Sequence, residues 1–260
     1  MHSAVIGVGS NISPEENVAK AAKEVSLLGK SIRKSEFVYT KPLLYEKQDD
    51  FLNGVFHIDT PYEYEELNGR LKEIENKLGR VRTENRSGPR TIDLDTVIYN
   101  NQVKDPDAFT REFIKDPVTE LLPELEDTLT CSNYSNHFET VHGIIEKILS
   151  VLSAPPVSVF GAGSWFRDAE LPAVSIEIFV IADDSANGTE EAINRELKAS
   201  GLGKIGSLPV LVLLFPPEEI RVMAAVNNNE AETDGRSVSS ISEFPSFRLL
   251  YGSPQPFLLP

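Results

Sequence analysis

The sequence predicts an α+β protein, and three observations carry that prediction. Short apolar stretches alternate or run continuously in the manner of strands, and between them apolar residues recur at helical spacing. Gly, Pro and capping residues punctuate the changeovers, and a proline-bearing segment late in the chain separates two such sets.

Residues 3–9, SAVIGVG, read as a short buried strand ending in Gly. SPEE follows: Ser13 stands at the N-cap, Pro14 at N1 and Glu16 at N3, a capping box that opens a helix to about Leu28. Strand signals come at 32–39 and 51–60, with the proline loop TKPLLYEKQDD between them. From 62 to 78, Leu67, Leu71, Ile74 and Leu78 keep helical spacing, and Gly79 stops that helix. After an arginine-rich loop, TIDLDTVIY alternates, with Ile92, Leu94 and Ile98 on one face and Asp93 and Asp95 on the other. The order is βαββαβ, the ferredoxin-like plan. Extra helices follow that core at DPVTELLPEL and FETVHGIIEKILSVL.

SAPP at 153–156 reads as the linker, giving domains at 1–153 and 157–260. Beyond it, AVSIEIFVIADD, TEEAINRELKAS and LPVLVLLF read as strand, helix, strand, with a further strand at EIRVMAAV: a smaller C-terminal α+β domain. The last thirty or so residues are rich in Ser, Pro and Asn and are expected to be poorly ordered.

Bulk composition bounds the function. A 260-residue chain with 40% hydrophobic residues can bury a core in at least one unit. It has no run of about 18 apolar residues, and MHSAVIGVGSN lacks a charged n-region and a cleavage site, so a soluble protein without a secretory signal is expected. The single cysteine, Cys131, excludes an internal disulfide and a Cys-based zinc site, and makes the cytoplasm the default location. A net charge of −15 opposes a general nucleic-acid binder, so any phosphate site must be local and pre-arranged. Both halves share the acidity, with 18 basic and 26 acidic residues before Val157 and 7 and 14 after it, so charge does not separate their roles.

Most familiar motifs fail. Gly7 and Gly9 could begin a dinucleotide fingerprint, but Ile12 stands where its third glycine belongs, and no GxxxxGK[ST], HExxH or GxSxG occurs. His2, His57, His137 and His142 read as surface or structural residues.

GRVRTENRSGPRTIDLD, residues 79–95, is different. It gathers Arg80, Arg82, Arg86 and Arg90 and follows them with Asp93 and Asp95. Arginine forks two donors onto phosphate and suits a triphosphate. Gly79 and the Gly88-Pro89 pair bracket the segment, leaving a loop able to close over a nucleotide. Ordinary pairing with surface carboxylates is the alternative. Aspartate is disfavoured in strands, yet two share one face. Their Cα atoms would lie roughly 6.6 Å apart at the rise of a strand. Unit charges at that distance repel by about 2.5 kcal/mol at an effective dielectric of ~20. A hard divalent cation relieves that repulsion, and Mg²⁺ commonly takes one or two carboxylates plus substrate phosphates. A solvated strand face is the plain alternative.

At these residues the sequence resembles the 6-hydroxymethyl-7,8-dihydropterin pyrophosphokinases of folate biosynthesis, over roughly residues 3–125. IGVGSN is similar to the family's opening strand, FLNGV to its substrate segment, GRVRTENRSGPRTIDLDTVIY to its most distinctive motif, and REFIKDPVTELLPEL to its closing segment. The resemblance implies a ferredoxin-like core. It also implies transfer of the β,γ-pyrophosphoryl group of MgATP to the pterin's hydroxymethyl oxygen, with release of AMP. By the same resemblance Asp93 and Asp95 are ligands for two Mg²⁺, and Arg80 and Arg90 join them as catalytic residues. Arg80, Arg82, Arg90 and Arg111 bind ATP. Thr40, Leu43 and Asn53 hydrogen-bond the pterin edge, while Phe51 and Phe113 sandwich its ring. A flat heterocycle does require two aromatic faces and a few polar edge groups.

Three departures stand out. Ser87 occupies the family's Trp position before Gly-Pro, Thr83 its usual Lys, and the stretch from Asp95 to Arg111 is shorter and lacks a Pro-His pair. Weaker nucleotide binding is the expectation. The rival reading is a noncatalytic descendant that binds pterin or nucleotide for regulation. An RNA-binding module is opposed by the acidic charge and the lack of an aromatic-rich RNP signature. ATP and the pterin are the expected partners, with neither nucleic acid nor membrane.

Overall fold

The computed structural model describes residues 1–43, 45–82, 85, 87–154, 156, 158–162, 165–166, 175–182, 188–215 and 248–252. By internal contacts the chain forms two units, Met1–Glu126 and Asp127–Pro260. The sequence reading put the boundary at SAPP. The difference arises because the helix at 138–151 makes its main packing contacts with a helix at 189–199, beyond that segment.

The first unit runs β1 (His2–Ser10), α1 (Pro14–Val25), β2 (Lys30–Lys34), β3 (Val38–Thr40), β4 (Phe51–Thr60), α2 (Tyr64–Lys77), β5 (Asp93–Tyr99), β6 (Gln102–Val103), α3 (Asp107–Thr110) and α4 (Glu112–Leu121), with α5 (Glu126–Leu129) at the join. Its sheet has the order β2-β4-β1-β5-β6, β3 also pairs with β4, and every pairing is antiparallel. Mixed helix and sheet content is therefore observed. One face of the sheet buries Ala4, Ile6, Val8, Phe56, Ile58 and Leu94 against Ala21 and Val25 of α1 and Leu67, Leu71 and Ile74 of α2. Each fully buried Leu or Val contributes about 1.5–3 kcal/mol relative to exposure. The alternation that buries these residues turns their strand neighbours, Gly7, Gly9, Asn53, Asp93 and Asp95, to the opposite face.

Several local expectations give way. Ser13 adopts a left-handed backbone (φ 43°) and its side chain caps nothing. Glu16 pairs instead with Lys20 at 2.7 Å, and Asn17 ties the helix start by donating to the Ile12 carbonyl at 2.6 Å. The single strand expected at 32–39 is two, because the Ser35 hydroxyl accepts the Val55 N–H at 3.0 Å and interrupts the ladder. A bulge in β5 alters its alternation: Ile6 pairs with Thr96 but Val5 with Ile98. Ile98 therefore follows Val5, on the face away from the helices, while Tyr99 joins the helix-side core with Leu94. Gly79 does end the segment after α2, with φ 81°.

The second unit contains α6 (Ser132–Asn136), α7 (Phe138–Val151), β7 (Ser158–Ala162), β8 (Ile176–Ile181), α8 (Thr189–Ala199), β9 (Lys204–Ile205), β10 (Leu208–Phe215) and β11 (Arg248–Gly252). Its sheet order is β11-β7-β8-β10-β9, with β8 and β10 parallel through the α8 crossover. Residues 248–252 are thus a strand inside the tail expected to be poorly ordered, paired with β7 because Leu249 and Leu250 bury their side chains. β9 covers only Leu208 and Pro209 of β10. Farther along, Asn194 bonds both the N–H and the C=O of Val212, and Glu190 accepts the Leu214 N–H at 3.0 Å. The α8 side chains thereby occupy backbone groups of β10. The strand expected at EIRVMAAV lies outside the described residues. No helix among the described residues is long and apolar enough to cross a membrane.

Candidate functional site

Glycines in the central strand shape the site. A Cβ on Gly9 would meet the Asn53 Oδ1 at 2.8 Å, and one on Gly7 would meet Val97 Cγ1 at 3.1 Å. Register places Asn53 on one side of Gly9 and Asp93 on the other, and Val55 and Asp95 on either side of Gly7. Two rows therefore cross three strands, and at a strand spacing of about 4.8 Å the Asn53 and Asp93 backbones lie roughly 10 Å apart. The glycines of this strand serve close side-chain approach.

Above them lies a cavity of about 320 Å³. Its floor is Gly7, Gly9, Phe51, Asn53, Asp93, Asp95 and Val97, and its walls come from 40–43, from Ser87 and Arg90, and from 105–114. Of the eleven residues singled out in the sequence, Thr40, Leu43, Phe51, Asn53, Arg90, Asp93, Asp95, Arg111 and Phe113 line it. Arg80 and Arg82 do not. Arg86 and Thr83 lie outside the described residues.

One end is aromatic and amide-bearing. Asn53 is buried and donates to the Thr40 hydroxyl at 2.7 Å, which fixes its carboxamide. The Arg90 guanidinium stands 5.6 Å from the Phe51 ring centroid, and Arg111 stands 5.9 Å from that of Phe113. Both cations thus border aromatic walls.

The other end is a charge network. The Asp93 carboxylate is bracketed by Arg80 on one oxygen and Arg90 on the other. Burial works to raise its pKa, but the two guanidinium groups outweigh burial and hold it below the ordinary carboxylate value. Asp95 instead bonds Lys72 at 2.8 Å. The repulsion expected between the two aspartates is therefore relieved here by protein cations. Arg80 also donates to the Ile92 carbonyl at 2.9 Å.

Behind the pair sits Glu75, fully buried. It accepts the Leu94 N–H at 2.8 Å and pairs with Arg82 at 2.7 Å, Lys72 at 3.2 Å and Arg80 at 3.3 Å. Burial pushes its pKa up, against the pull of that amide and of Lys72 and Arg80. Glu75 and Lys72 were missed as site residues, although one signal was present: Glu75 falls four residues after Leu71, on the buried stripe of α2. Asn11 was missed too. It accepts the Arg90 N–H at 2.8 Å and donates to Gln48 and to the Asp49 carbonyl, both at 3.1 Å. Gln48 reaches on to the Ser87 carbonyl at 2.8 Å, so three loops meet through two amide side chains. No local pattern announces that. Asp105 and Asp107 add carboxylates to the wall, and Asp107 holds Arg111 at 2.9 Å. Burial raises the Asp105 pKa, with the charges of Asp107 and Asp95 pushing the same way.

The donor set suits a hard cation. Asp93 and Asp95 offer carboxylate oxygens to one cavity that also carries arginines. Among the described residues no set of three His, Cys, Asp or Glu side chains forms a complete cage. An ion held there would take its remaining ligands from water and substrate, as Mg²⁺ commonly does.

The segment that forms this cavity resembles known proteins. Residues 5–123 match the 7,8-dihydro-6-hydroxymethylpterin-pyrophosphokinase family. The chain is 35% identical over 136 residues to the 2-amino-4-hydroxy-6-hydroxymethyldihydropteridine pyrophosphokinase of Haemophilus influenzae, covering 48% of this chain and 84% of that protein. The Bacillus subtilis enzyme of the same name is 36% identical over 140 residues, 49% of this chain and 82% of its own length. That of Methylorubrum extorquens is 38% identical over 136 residues, 48% of this chain and 85% of its own. With most of three relatives spanned, and the matched segment holding every residue of the cavity, this chain belongs to the 7,8-dihydro-6-hydroxymethylpterin-pyrophosphokinase family.

Proposed function

We propose that this chain transfers the β,γ-pyrophosphoryl group of ATP to the hydroxymethyl oxygen of 6-hydroxymethyl-7,8-dihydropterin, with Mg²⁺, in folate biosynthesis. The bond formed joins that oxygen to the β-phosphorus, the bond broken is between the β-phosphorus and the bridging oxygen to the α-phosphate, and AMP leaves. The observation that carries this reading is the row Asn53–Gly9–Asp93, which sets an amide beside aromatic walls at one end of a cavity and paired carboxylates at the other. Phe51 and Phe113 would stack the pterin, while Asn53 and Thr40 would bond its edge. Arg90 and Arg111, already on the wall, would meet phosphate oxygens. Arg80 and Arg82 would reach the phosphates by exchanging their present carboxylate partners. Asp93 and Asp95 would hold two Mg²⁺, whose charge would neutralise the phosphates. Positioning and charge neutralisation are most of what phosphoryl-type transfer requires of a protein. The strand order β5-β1-β4-β2 supports a ferredoxin-like core, and the lone thiol supports a cytoplasmic setting.

One observation favours the rival, a noncatalytic pterin or nucleotide binder. Asp93 is already bracketed by two guanidinium groups and Asp95 is bonded on one oxygen by an ammonium, so a metal ion would compete with protein cations at both. A single assay separates the two readings. AMP release from ATP that requires both the hydroxymethyl pterin and Mg²⁺ is the expected result. Binding of both ligands without AMP formation would leave the regulatory reading standing.

A further inference from the structure

Lys72 has no part in the function proposed above, yet it bonds one of the paired carboxylates, Asp95. Its ammonium has three protons and three acceptors: Asp95 Oδ1 at 2.8 Å, the Leu94 carbonyl at 3.0 Å and Glu75 Oε1 at 3.2 Å. Two of those acceptors belong to the fold rather than to the cavity. The Leu94 carbonyl is strand backbone, and Glu75 is fully buried and held by the Leu94 N–H. The ammonium is thereby anchored whether or not Asp95 is engaged elsewhere. Arg90 differs, because its side chain lies on the cavity wall, where phosphate oxygens would reach it.

We propose that Lys72 is a positioning residue that holds Asp95 and opposes its loading by a divalent cation until nucleotide phosphates supply compensating negative charge. This rests on the reading of Asp95 as a metal ligand. A cation binding Asp95 alone meets a fixed positive charge on the same carboxylate. The phosphates of a nucleotide offset that charge, so cation and nucleotide enter together.

The test is Mn²⁺ binding to the full chain, followed by the electron paramagnetic resonance of the free ion, with and without a nonhydrolysable ATP analogue. Lys72→Gln removes the charge and keeps hydrogen-bonding groups. It should tighten Mn²⁺ binding in the absence of nucleotide by about threefold to fivefold, a modest factor because both partners are part-exposed. The gain should shrink when the analogue is present and at about 1 M salt. Lys72→Arg, which keeps the charge, should stay near the parent protein. Lys72→Met is the substitute if the Gln variant does not fold. Unchanged or weaker Mn²⁺ binding in a folded, charge-free variant overturns the proposal. Asp95→Asn is the control for the underlying reading. If it leaves Mn²⁺ affinity unchanged even with the analogue, Asp95 is no ligand, and the proposed role of Lys72 goes with it. If Asp95→Asn weakens binding while the Lys72 variants change nothing, only the role of Lys72 fails.

Discussion

The two units use one device for opposite ends. In the first, Glu75 of α2 accepts the N–H of Leu94 on β5; in the second, Glu190 of α8 accepts the N–H of Leu214 on β10. Each carboxylate satisfies a backbone donor of a neighbouring strand. Around Glu75, however, Lys72, Arg80 and Arg82 converge, and two of those cations continue to the aspartates of the cavity. Beside Glu190 the neighbour is Asn194, a neutral amide bonded to the same strand. A helix carboxylate that caps a strand is thus a structural element by default. It becomes part of a site only where cations link it to groups on a ligand-facing surface.

The sharpest way to break that comparison is at the cavity. Asp95→Asn should lower pterin-dependent AMP formation by at least about a hundredfold, comparable to losing one strong electrostatic contact at a transition state. The melting temperature without Mg²⁺ should barely move. Relief of repulsion with Asp93 is offset by loss of the part-exposed Lys72 pair, worth at most about 1 kcal/mol. Near-normal turnover, or ready unfolding, would make the aspartate structural.

Next come the two capping carboxylates. Glu75→Ala strands a backbone N–H and takes one partner from each of three cations, which keep others, and should cost about 3 kcal/mol in denaturant unfolding. Glu190→Ala should cost about 1 kcal/mol, the value of one backbone hydrogen bond losing its partner. Equal losses would erase the distinction between the units.

A smaller effect concerns His57, buried between Arg33, which donates to Nδ1 at 3.1 Å, and the Ser3 hydroxyl, 2.8 Å from Nε2. Burial first, and the Arg33 charge second, hold its pKa below the ordinary 6.5, with Asp59 opposing. Between the folded value and 6.5 the unfolded chain binds the proton more readily, so stability falls as pH drops through that window. Melting temperature should decline from about pH 7 to about pH 5.5, and His57→Gln should flatten that slope. An unchanged slope in the variant would assign it to other groups.

The smallest expected effect is of truncation. Every cavity residue lies within Met1–Glu126, so a fragment of residues 1–126 should bind pterin and ATP analogue much as the full chain does. Loss of both bindings in a folded fragment would give the second unit a part in the site. The same measurement on residues 1–153 tests the boundary that the sequence suggests.

The sequence by itself determined the elements whose signals are local. Leu67, Leu71 and Ile74 recur at helical spacing, and they are the buried stripe of α2. Gly79 stands where only a small residue tolerates a positive φ, and the chain turns there. The Asp93–Asp95 pair and Arg90 were conspicuous because aspartate is disfavoured in strands and four arginines cluster in an otherwise acidic chain, and the cavity gathers Asp93, Asp95 and Arg90. What tertiary structure alone decided depends on residues far apart in the chain. The Ser13 capping box failed because the backbone entering α1 is left-handed, a geometry no four-residue pattern records. Ile98 changed face because of a bulge set by pairing with β1. Glu75 and Lys72 became site residues only when α2 packed on β5, because a carboxylate and an ammonium on a helix acquire roles from the strand they are folded against.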